Sequence, residues 1–248
     1  GQFSKGPIDE VVSISSEQEL VDTFGKPDTN NFEYFFSAAN FLQYSNSLRV
    51  VRASQTNMVN ATAGGSGLLI KNKQDYEDNY STGQGSVGTF AGRSAGAWGN
   101  SLLVATCPSA NAFEQTTTTS QQADGGASVG ATTITVDSDA TSYLNIGDVI
   151  EFSSTASGVD FTTGEKYRVT NLTSTVVTIV QHPRGEGGLI TAVVDNARIK
   201  RKWRYADQVD GAPGTSTFVS DRSGSGDEIH VVVIDEDGGI SGVPGSVL

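Results

Sequence analysis

The chain of 248 residues is acidic, with a formal net charge of -12 at pH 7, and it contains 29 glycines and 18% charged residues. This composition is typical of a loop-rich protein with much β-structure, and it excludes a helical bundle. Binding to a nucleic-acid backbone or to an anionic membrane surface is disfavoured because both need clustered cations, and no apolar run is long enough to span a bilayer.

The first part of the chain predicts two short helices and two strands. Residues 10–14 predict a strand, and Ser16 with Glu19 has the spacing of a capping box, so a short helix follows. Asn31 is placed to cap a second helix, whose apolar residues recur at three- and four-residue steps. The predicted buried face consists of Phe32, Phe35, Phe36, Ala39 and Leu42. Residues 48–53 then predict a largely buried strand.

The periodicity weakens after this strand. Glycines at residues 64–67 predict a loop, residues 68–70 predict a strand, and residues 75–88 predict a polar loop. Residues 101–107 predict a further strand, which Pro108 ends.

Short β-segments dominate residues 108–205. A linker rich in Thr, Ser and Gln is predicted at residues 115–122. The predicted strands span residues 133–136, 148–152, 166–170, 175–180, 189–194 and 197–205. This spacing is typical of a small barrel or sandwich, so the predicted fold class is α+β, with mixed α/β domains and a small all-β barrel or sandwich domain. Beyond it, residues 229–235 predict a buried strand and residues 235–239 a hairpin turn.

Two glycine-containing motifs invite a chemical interpretation. Residues 83–88 fit the dinucleotide fingerprint G-x-G-x-x-G, but the flanking sequence predicts neither the strand nor the helix that this loop needs, so a flexible loop is favoured. Ser94 lies in residues 92–96, which fit the nucleophile-elbow pattern G-x-S-x-G. That pattern needs a nearby histidine, and the chain offers His182 and His230. A solvated, glycine-rich turn is favoured over a serine hydrolase.

Other reactive residues give no recognisable site. Cys107 has no neighbouring histidine in the sequence and is predicted to be a small buried hydrophobe rather than a nucleophile. One cysteine and two histidines cannot form a zinc site of the usual kind, and one cysteine cannot form an intrachain disulfide. Residues 235–238 lack the ligand spacing of a calcium loop, so a solvated hairpin is favoured there. We therefore predict no catalytic residue, no metal site and no cofactor.

One predicted strand breaks the acidic background. Alternation along residues 198–205 places Arg198, Lys200, Lys202 and Arg204 on one face. Cations with adjacent aromatic residues can stack on nucleic acid, but a cationic strand also protects a sheet edge or docks on an acidic neighbour. In this acidic chain a sheet edge or an interface is favoured, and these four residues form the candidate interface.

Four stretches of the sequence carry a family resemblance. They are Gly1-Gln2-Phe3-Ser4-Lys5-Gly6-Pro7, Glu19-Leu20-Val21-Asp22-Thr23-Phe24-Gly25-Lys26-Pro27, Phe41-Leu42-Gln43-Tyr44 and Leu48-Arg49-Val50-Val51-Arg52-Ala53. In order and spacing they resemble the tail sheath proteins of contractile-tailed bacteriophages, most closely those of T-even-like myoviruses. A weaker resemblance lies at residues 96–100 and 226–248.

The resemblance implies a structural subunit without catalysis, and specifically the N-terminal and outer portion of a sheath subunit. Residues 1–53 are expected to begin the sheath core domain. Residues 54–107 and 206–248 are expected to form a second sheath domain, and residues 108–205 an inserted, β-barrel-like outer domain. In that family, copies form hexameric rings stacked helically around the tail tube, and contraction drives the tube through the host envelope.

The implied partners are other sheath subunits, the tail tube protein, the baseplate and the tail terminator, with no direct contact to nucleic acid and no membrane insertion. The implied location is the tail of the virion, which is assembled in the host cytoplasm. An alternative stays open, in which the inserted β domain binds host-surface carbohydrate as a module of the virion surface. That role needs exposed aromatic residues, and Tyr143, Tyr167 and Trp203 are the candidates.

Overall fold

The computed structural model describes residues 1–63, 67–83 and 87–248. Helices and sheets are mixed in it, as expected for an α+β protein. Its packing separates two compact units. The first unit comprises residues 1–104 with 232–248, and the second unit is the intervening segment, which contains the whole of the predicted insert.

The described part of the chain contains short helices and three sheets. The helices are α1 (Glu17–Phe24), α2 (Phe32–Leu42), α3 (Lys73–Asn79), α4 (Ala110–Phe113) and α5 (Thr217–Ser220), with 3-10 turns at Ala97–Ser101, Ala140–Ser142 and Ala206–Gln208. The strands are β1 (Val11–Ile14), β2 (Leu48–Val51), β3 (Leu102–Cys107), β4 (Glu114–Thr116), β5 (Thr133–Thr135), β6 (Val149–Ala156), β7 (Tyr167–Leu172), β8 (Val176–Gln181), β9 (Ala197–Lys202), β10 (His230–Asp235) and β11 (Ser246–Val247). The sheets have the strand orders β1-β2, β11-β10-β3 and β4-β9-β6-β7-β8-β5.

Local signals account for the first helix and the small sheet of the first unit. Ser16 caps α1, its Oγ accepting the Glu19 N–H at 3.2 Å, as the capping-box spacing predicts. Strand β1 pairs antiparallel with β2, and Ile14 lies opposite Leu48. Helices α1 and α2 bury their apolar sides against this sheet. The core so formed consists of Phe3, Ile14, Leu20, Phe24, Phe35, Ala39 and Val50.

Helix α2 departs from the prediction in its cap and in its buried face. Asn31 does not cap the helix with its side chain. Its Oδ1 instead accepts the Asp28 N–H at 2.8 Å and so fixes the preceding turn. Phe35 is buried, whereas Phe32 and Phe36 are 48% and 50% exposed. The predicted face is only partly buried because a two-stranded sheet and one neighbouring helix are too small to cover it.

A buried guanidinium joins the N-terminal segment to a later loop. Arg52, which is 1% exposed, donates to the carbonyl oxygens of Phe3, Ser4, Gly6 and Ala95 at 2.8 to 3.3 Å. Burial lowers the pKa of Arg52 to about 10, so the side chain stays charged at neutral pH and its donors need acceptors. The four main-chain carbonyls supply them.

The segment after β2 is held together by a buried amide rather than by regular strands. Asn60 is 1% exposed. Its Oδ1 accepts the Ile70 N–H at 2.7 Å, and its Nδ2 donates to the Gly92 carbonyl at 2.9 Å. The strand predicted at residues 68–70 is therefore wrong in extent, since in the described residues it is reduced to a bridge between Asn60 and Leu68.

The predicted polar loop at residues 75–88 begins inside α3. Asn72 caps this helix, its Oδ1 accepting the Asp75 N–H at 3.0 Å. The prediction missed α3 because none of its residues is buried, so the sequence carries no apolar period there. Residues 84–86 of the G-x-G-x-x-G motif, and residues 64–66 of the earlier predicted loop, lie outside the described residues.

The six-stranded antiparallel sheet of the second unit packs against the larger core. Strand β4 overlaps the start of the predicted linker. The linker prediction is wrong there, because this segment pairs with β9. The strand predicted at residues 189–194 is also wrong, since among the described residues Val193 forms a single bridge with Ala127. Bridges of Gln122 and Ala123 connect the segment after β4 to β9 and to the end of β5. The core consists of Ala123, Ile134, Val136, Ala140, Tyr143, Leu144, Ile150, Phe152, Tyr167, Val169, Val177, Ile179, Leu189, Val193, Ala197 and Ile199.

We expect Arg52→Met to destabilise the first unit by at least about 3 kcal/mol, because it leaves four buried carbonyl oxygens without their charged donor. Urea unfolding measures this effect. The fluorescence of Trp98 in a Trp203→Phe background reports on the first unit, since the chain has two tryptophans and Trp203 lies in the second.

The matched control is Arg49→Met. Arg49 lies on β2, just before Arg52 in the sequence, but is exposed, so its replacement should change the free energy of unfolding by less than about 0.5 kcal/mol. Equal unfolding midpoints for the two variants would contradict the role given to Arg52.

Candidate interaction surfaces

Strand β9 lies inside the six-stranded sheet rather than at its edge. It pairs antiparallel with β4 on one side and with β6 on the other, so the prediction that its cations protect a sheet edge is wrong. Burial alternates along the strand. The outward positions are those of the candidate interface, Arg198, Lys200 and Lys202, followed by the exposed Arg204.

Carboxylates on neighbouring elements stand beside these cations. Lys200 Nζ lies 3.0 Å from Glu114 Oε1, and Lys202 Nζ lies 3.3 Å from Asp207 Oδ1. Glu151 on β6 stands opposite Lys200 in the sheet register. Both lysine side chains are partly exposed, so these pairs contribute little to stability and leave the ammonium groups accessible. The sequence pattern could not identify these carboxylates, because strand register decides which residues face each other.

Arg201 points to the opposite side of the sheet and forms a buried ion pair. Its Nη1 lies 3.6 Å from Asp148 Oδ2, and its guanidinium donates to the carbonyls of Ala112 and Asn111. Burial raises the pKa of Asp148, and the hydrogen bond from the Asn145 N–H and the Arg201 charge oppose that shift. The pair fastens α4 to the sheet and does not face solvent.

Cys107 is fully buried. Burial raises the pKa of its thiol, which disfavours the reactive thiolate. In the described ranges, no group of three or more His, Cys, Asp or Glu residues is arranged to hold a metal ion. No helix among the same residues has the length and apolar character needed to cross a bilayer.

Aromatic side chains protrude from α2 on both flanks of its buried seam. Phe32 and Phe36 lie one turn apart on one flank, and Tyr34 and Phe41 lie on the other. Each of the four is 44% to 50% exposed, and Tyr44, just beyond the helix, is 90% exposed. We call these five residues the aromatic surface. A helix that is apolar on several sides is normally covered on several sides.

A cleft of about 1340 Å³ opens in the first unit. Its walls come mainly from residues 2–5, 28–31, 55–62 and 96–100, and seven of the lining residues in the described chain carry amide side chains. Trp98 contributes an indole whose Nε1 is buried and has no hydrogen-bond partner among the described residues. The lining residues in the described part of the chain include neither histidine nor cysteine, whereas Ser4, Asp22 and Asp28 are among them.

The G-x-S-x-G segment is a structural turn. The Ala95 carbonyl accepts a 2.8 Å hydrogen bond from Arg52 Nη2. Gly96, at φ 138°, approaches the N-terminal segment so closely that a Cβ there would lie 2.5 Å from the Ser4 carbonyl oxygen. Ser94 is buried at 9% exposure, so the expected solvation of its hydroxyl is wrong. Ser94 belongs to the first unit, whereas both histidines belong to the second.

The hairpin predicted at residues 235–239 is a wider loop built around Asp235. This carboxylate is fully buried. Its Oδ1 accepts from Ser101 Oγ at 2.5 Å, and its Oδ2 accepts the N–H groups of Ile240 and Ser241 at 2.9 and 2.6 Å. Burial alone would raise the pKa of Asp235, but these hydrogen bonds outweigh it and hold the pKa well below its usual range. The prediction of a solvated hairpin is therefore wrong at this residue.

The three aromatic residues considered for carbohydrate binding are buried. Tyr143 and Trp203 are 8% exposed, and Tyr167 is 2% exposed. Both tyrosines belong to the core of the second unit. These residues therefore do not form the exposed cluster on which a sugar ring would stack.

Comparison with known proteins gives a match at the start of the chain. Residues 1–53 match the family model of the tail sheath protein Gp18 domain III N-terminal region. The tail sheath protein of Enterobacteria phage T4 is 51% identical over 53 residues, which are 21% of this chain and 8% of that protein. No solved structure is significantly similar to the chain.

Two further relatives carry the same name. The tail sheath protein of Vibrio phage KVP40 is 41% identical over 63 residues, 25% of this chain and 9% of the relative. That of Salmonella phage ViI is 34% identical over 112 residues, 44% of this chain and 17% of the relative. The chain thus spans less than a fifth of the length of these relatives. The resemblance to bacteriophage tail sheath proteins, which are structural components of the virion, is confirmed over this matched part.

We expect Asp235→Asn to destabilise the first unit at neutral pH. The variant replaces one acceptor oxygen by an NH₂ group, which would face the hydrogen-bond donors of the loop or of Ser101 and leave them unpaired. The folded-state pKa of Asp235 lies below its ordinary value of 3.8. The carboxylate therefore stabilises the fold above that pH and loses this effect as the pH falls below it. The gap in urea midpoint between the unmodified chain and the variant should be constant from about pH 7 to about pH 5 and narrow below about pH 4.

Asp237→Asn is the control for this experiment. Asp237 lies in the same loop but is exposed, so its replacement should leave the midpoint almost unchanged at every pH. A gap for Asp235→Asn that stays the same down to the lowest pH would show that the ionised carboxylate is not what stabilises the loop.

Proposed function

We propose that the chain is part of a structural subunit of a contractile bacteriophage tail sheath, which polymerises around the tail tube and contracts to drive the tube through the host envelope. The observation that carries this proposal is the match of residues 1–53 to the sheath family model, together with the three sheath relatives. Because the match covers a small part of each relative, the activity of the whole protein is a proposal for this chain.

The aromatic surface supports a role in assembly. Its five side chains lie within the matched residues 1–53. Singly scattered apolar residues are normal on soluble monomers, whereas five half-exposed or fully exposed aromatic side chains on one short segment are not, and aromatic residues are enriched where proteins meet. An assembly protein must keep such a surface open until its neighbour binds, which explains why the helix tolerates half-exposed phenylalanines.

We extend the proposal to the partners. Copies of the subunit are proposed to form hexameric rings stacked helically and to contact the tail tube protein, the baseplate and the tail terminator. The subunit would then be assembled in the host cytoplasm and reside in the virion tail. The net charge of -12 supports contact with proteins rather than with the nucleic acid inside the tube.

Catalysis has no part in this proposal. The relatives carry the name of a structural protein. A contractile array stores free energy in the metastable packing of subunits, so it needs surfaces that can repack rather than an active site.

For the domain organisation we propose that residues 1–53 begin the sheath core domain, that residues 54–107 and 206–248 form a second sheath domain, and that residues 108–205 are an inserted outer domain. The chain enters the second compact unit through β3 and leaves it through β10, and these strands are neighbours in one sheet. Insertions are tolerated where their two ends lie close together, which supports this organisation.

The assembly role predicts that Phe32→Ser with Phe36→Ser leaves the chain folded but prevents sheath formation. Both side chains are about half exposed, so the free energy of unfolding should change by less than about 1 kcal/mol. Electron microscopy of lysates from a phage carrying the double variant should show baseplates with bare tubes instead of sheathed tails.

Phe218→Ser is the matched control, because Phe218 is 65% exposed and lies in the second unit. This variant should assemble normally. Normal sheaths in the double variant, with its fold intact, would refute the role given to the aromatic surface.

The domain proposal predicts that the first unit folds without the second. Residues 105–231 are removed and replaced by a short glycine linker between Val104 and Val232. The urea midpoint of the first unit, measured by Trp98 fluorescence, should then be nearly unchanged. Removal of residues 108–205, the proposed insert, should also leave the first unit folded, although His230 then loses Trp203, whose ring centroid lies 6.4 Å from its own. Loss of the folded first unit in both deletions would contradict an inserted domain.

A further inference from the structure

The outward face of the six-stranded sheet is cationic along β9 and β7. On β7 the residues on either side of Arg168 are buried, so Arg168 lies outward, as does Lys166 just before the strand. In the sheet register Val149 of β6 stands opposite both Arg168 and Lys202, so cations of two strands flank one valine. We call this surface the basic face. Its cations are Lys166, Arg168, Arg198, Lys200, Lys202 and Arg204.

The basic face keeps an excess of positive charge. In the described part of the unit, the carboxylates that stand among the six cations are Glu114, Glu151 and Asp207. Burial, and then the charge of Arg168, lower the pKa of the adjacent His182, so this imidazole is neutral at pH 7. Six cations against three carboxylates leave a net +3. Because the whole chain carries -12, the rest of the molecule carries -15.

Aromatic rings near the basic face are not open to a ligand. Arg204 Cζ lies 5.0 Å from the centre of the Tyr205 ring, and Lys202 Nζ lies 5.9 Å from that of Phe113. The side chain of Trp203 is buried. Proteins that bind single-stranded nucleic acid combine cations with open rings on which bases stack. The basic face offers cations and hydrogen-bond donors without such rings, and this combination suits a surface of carboxylates.

The same chain provides carboxylate surfaces in its first unit. Helix α1 carries Glu17, Glu19 and Asp22 and no basic residue. Helix α3 carries Asp75, Glu77 and Asp78 against one cation, Lys73, which lies 3.4 Å from Glu77. A partner of the basic face must carry excess negative charge, and helices α1 and α3 provide such charge on every copy of the chain.

We propose that the basic face of one copy docks on the acidic helices α1 and α3 of a second copy. This inference rests on the proposed function, because it names the partner of the candidate interface. Two different surfaces meet in such a contact, so the interface is heterologous, and its repetition generates rings or helices rather than a closed pair. Charge complementarity would set the orientation of the copies, and salt would weaken the contact.

The test uses a carbodiimide, which joins an amine directly to a carboxylate. The full chain is prepared in unlabelled and ¹⁵N-labelled form, and the two are mixed at high concentration and low ionic strength before cross-linking and mass spectrometry. Peptide pairs that contain one light and one heavy partner report contacts between copies. We expect such pairs to join Lys200 and Lys202 to the carboxylates of α1 and α3, and we expect added salt to abolish them.

The structure provides an internal reference and a matched control. Two ion pairs lie within one copy, Lys200 with Glu114 and Lys202 with Asp207. Cross-links between these partners must appear, and both peptides of each such link must carry the same isotope because they come from one chain. Arg168→Glu with Arg204→Glu reverses two charges of the basic face but keeps both lysine amines available to the carbodiimide, and it should eliminate the mixed pairs. The control, Lys26→Glu with Arg93→Glu, changes the net charge equally at exposed positions of the first unit, and it should retain them.

Each outcome decides between the alternatives. Links of Lys200 and Lys202 that never mix isotopes would overturn the inference, as would mixed pairs that persist in the Arg168→Glu, Arg204→Glu variant. Tight binding of the unmodified chain to heparin that this variant loses, without mixed pairs, would also overturn it and would assign the face to an anionic glycan. Mass spectrometry of purified tails tests the proposed function separately, because absence of the chain from tails refutes that function whatever the cross-links show.

Discussion

The buried guanidinium of Arg52 is the constraint on which the first unit depends. A charged side chain removed from water is stable only if its donors are satisfied, and here four main-chain carbonyls satisfy them. Three of these carbonyls belong to residues 3–6 and the fourth to Ala95. One side chain, just after β2, therefore holds both the N-terminal segment and the distant turn at Ala95. Gly96 follows from the same constraint, because a Cβ there would collide with the Ser4 carbonyl. The glycine of an apparent catalytic motif is thus explained by close main-chain packing.

Local signals in the sequence predicted most of the elements, and contacts distant in sequence decided the errors. The helix cap at Ser16 is confirmed because it depends on residues three apart. Asn31 has an equally suitable position, but its side chain bonds to Asp28 instead, and no local pattern distinguishes these partners. Strand β9 has the predicted alternation, yet its place in the middle of the sheet follows from pairing with β4 and β6. The candidate interface could therefore be named from sequence, whereas its carboxylate neighbours could not.

Net charge describes this protein poorly, because the charge is unevenly distributed. The value of -12 argues correctly that the chain as a whole repels polyanions. It conceals a sheet face with six cations, of which two are paired at 3.0 and 3.3 Å with exposed carboxylates. Exposed pairs of this kind exchange partners at little cost, since each is worth less than about 1 kcal/mol. A surface held by such pairs can release one set of contacts and form another, which suits an array whose subunits must change neighbours.

The buried polar side chains show how a loop-rich chain can nevertheless be rigid. Asn60 connects three segments through its amide. Asp235 accepts three hydrogen bonds from Ile240 and Ser241 in its own loop and one from the distant Ser101. Each such group is expensive to leave unsatisfied, so it selects the one conformation in which all its partners are present. Irregular segments fixed in this way resist local rearrangement without the ladders of regular strands. If the chain functions in a contractile sheath, that property has a mechanical consequence. Rigid subunits transmit the free energy released at their interfaces as motion of the lattice, whereas subunits that deform would absorb it.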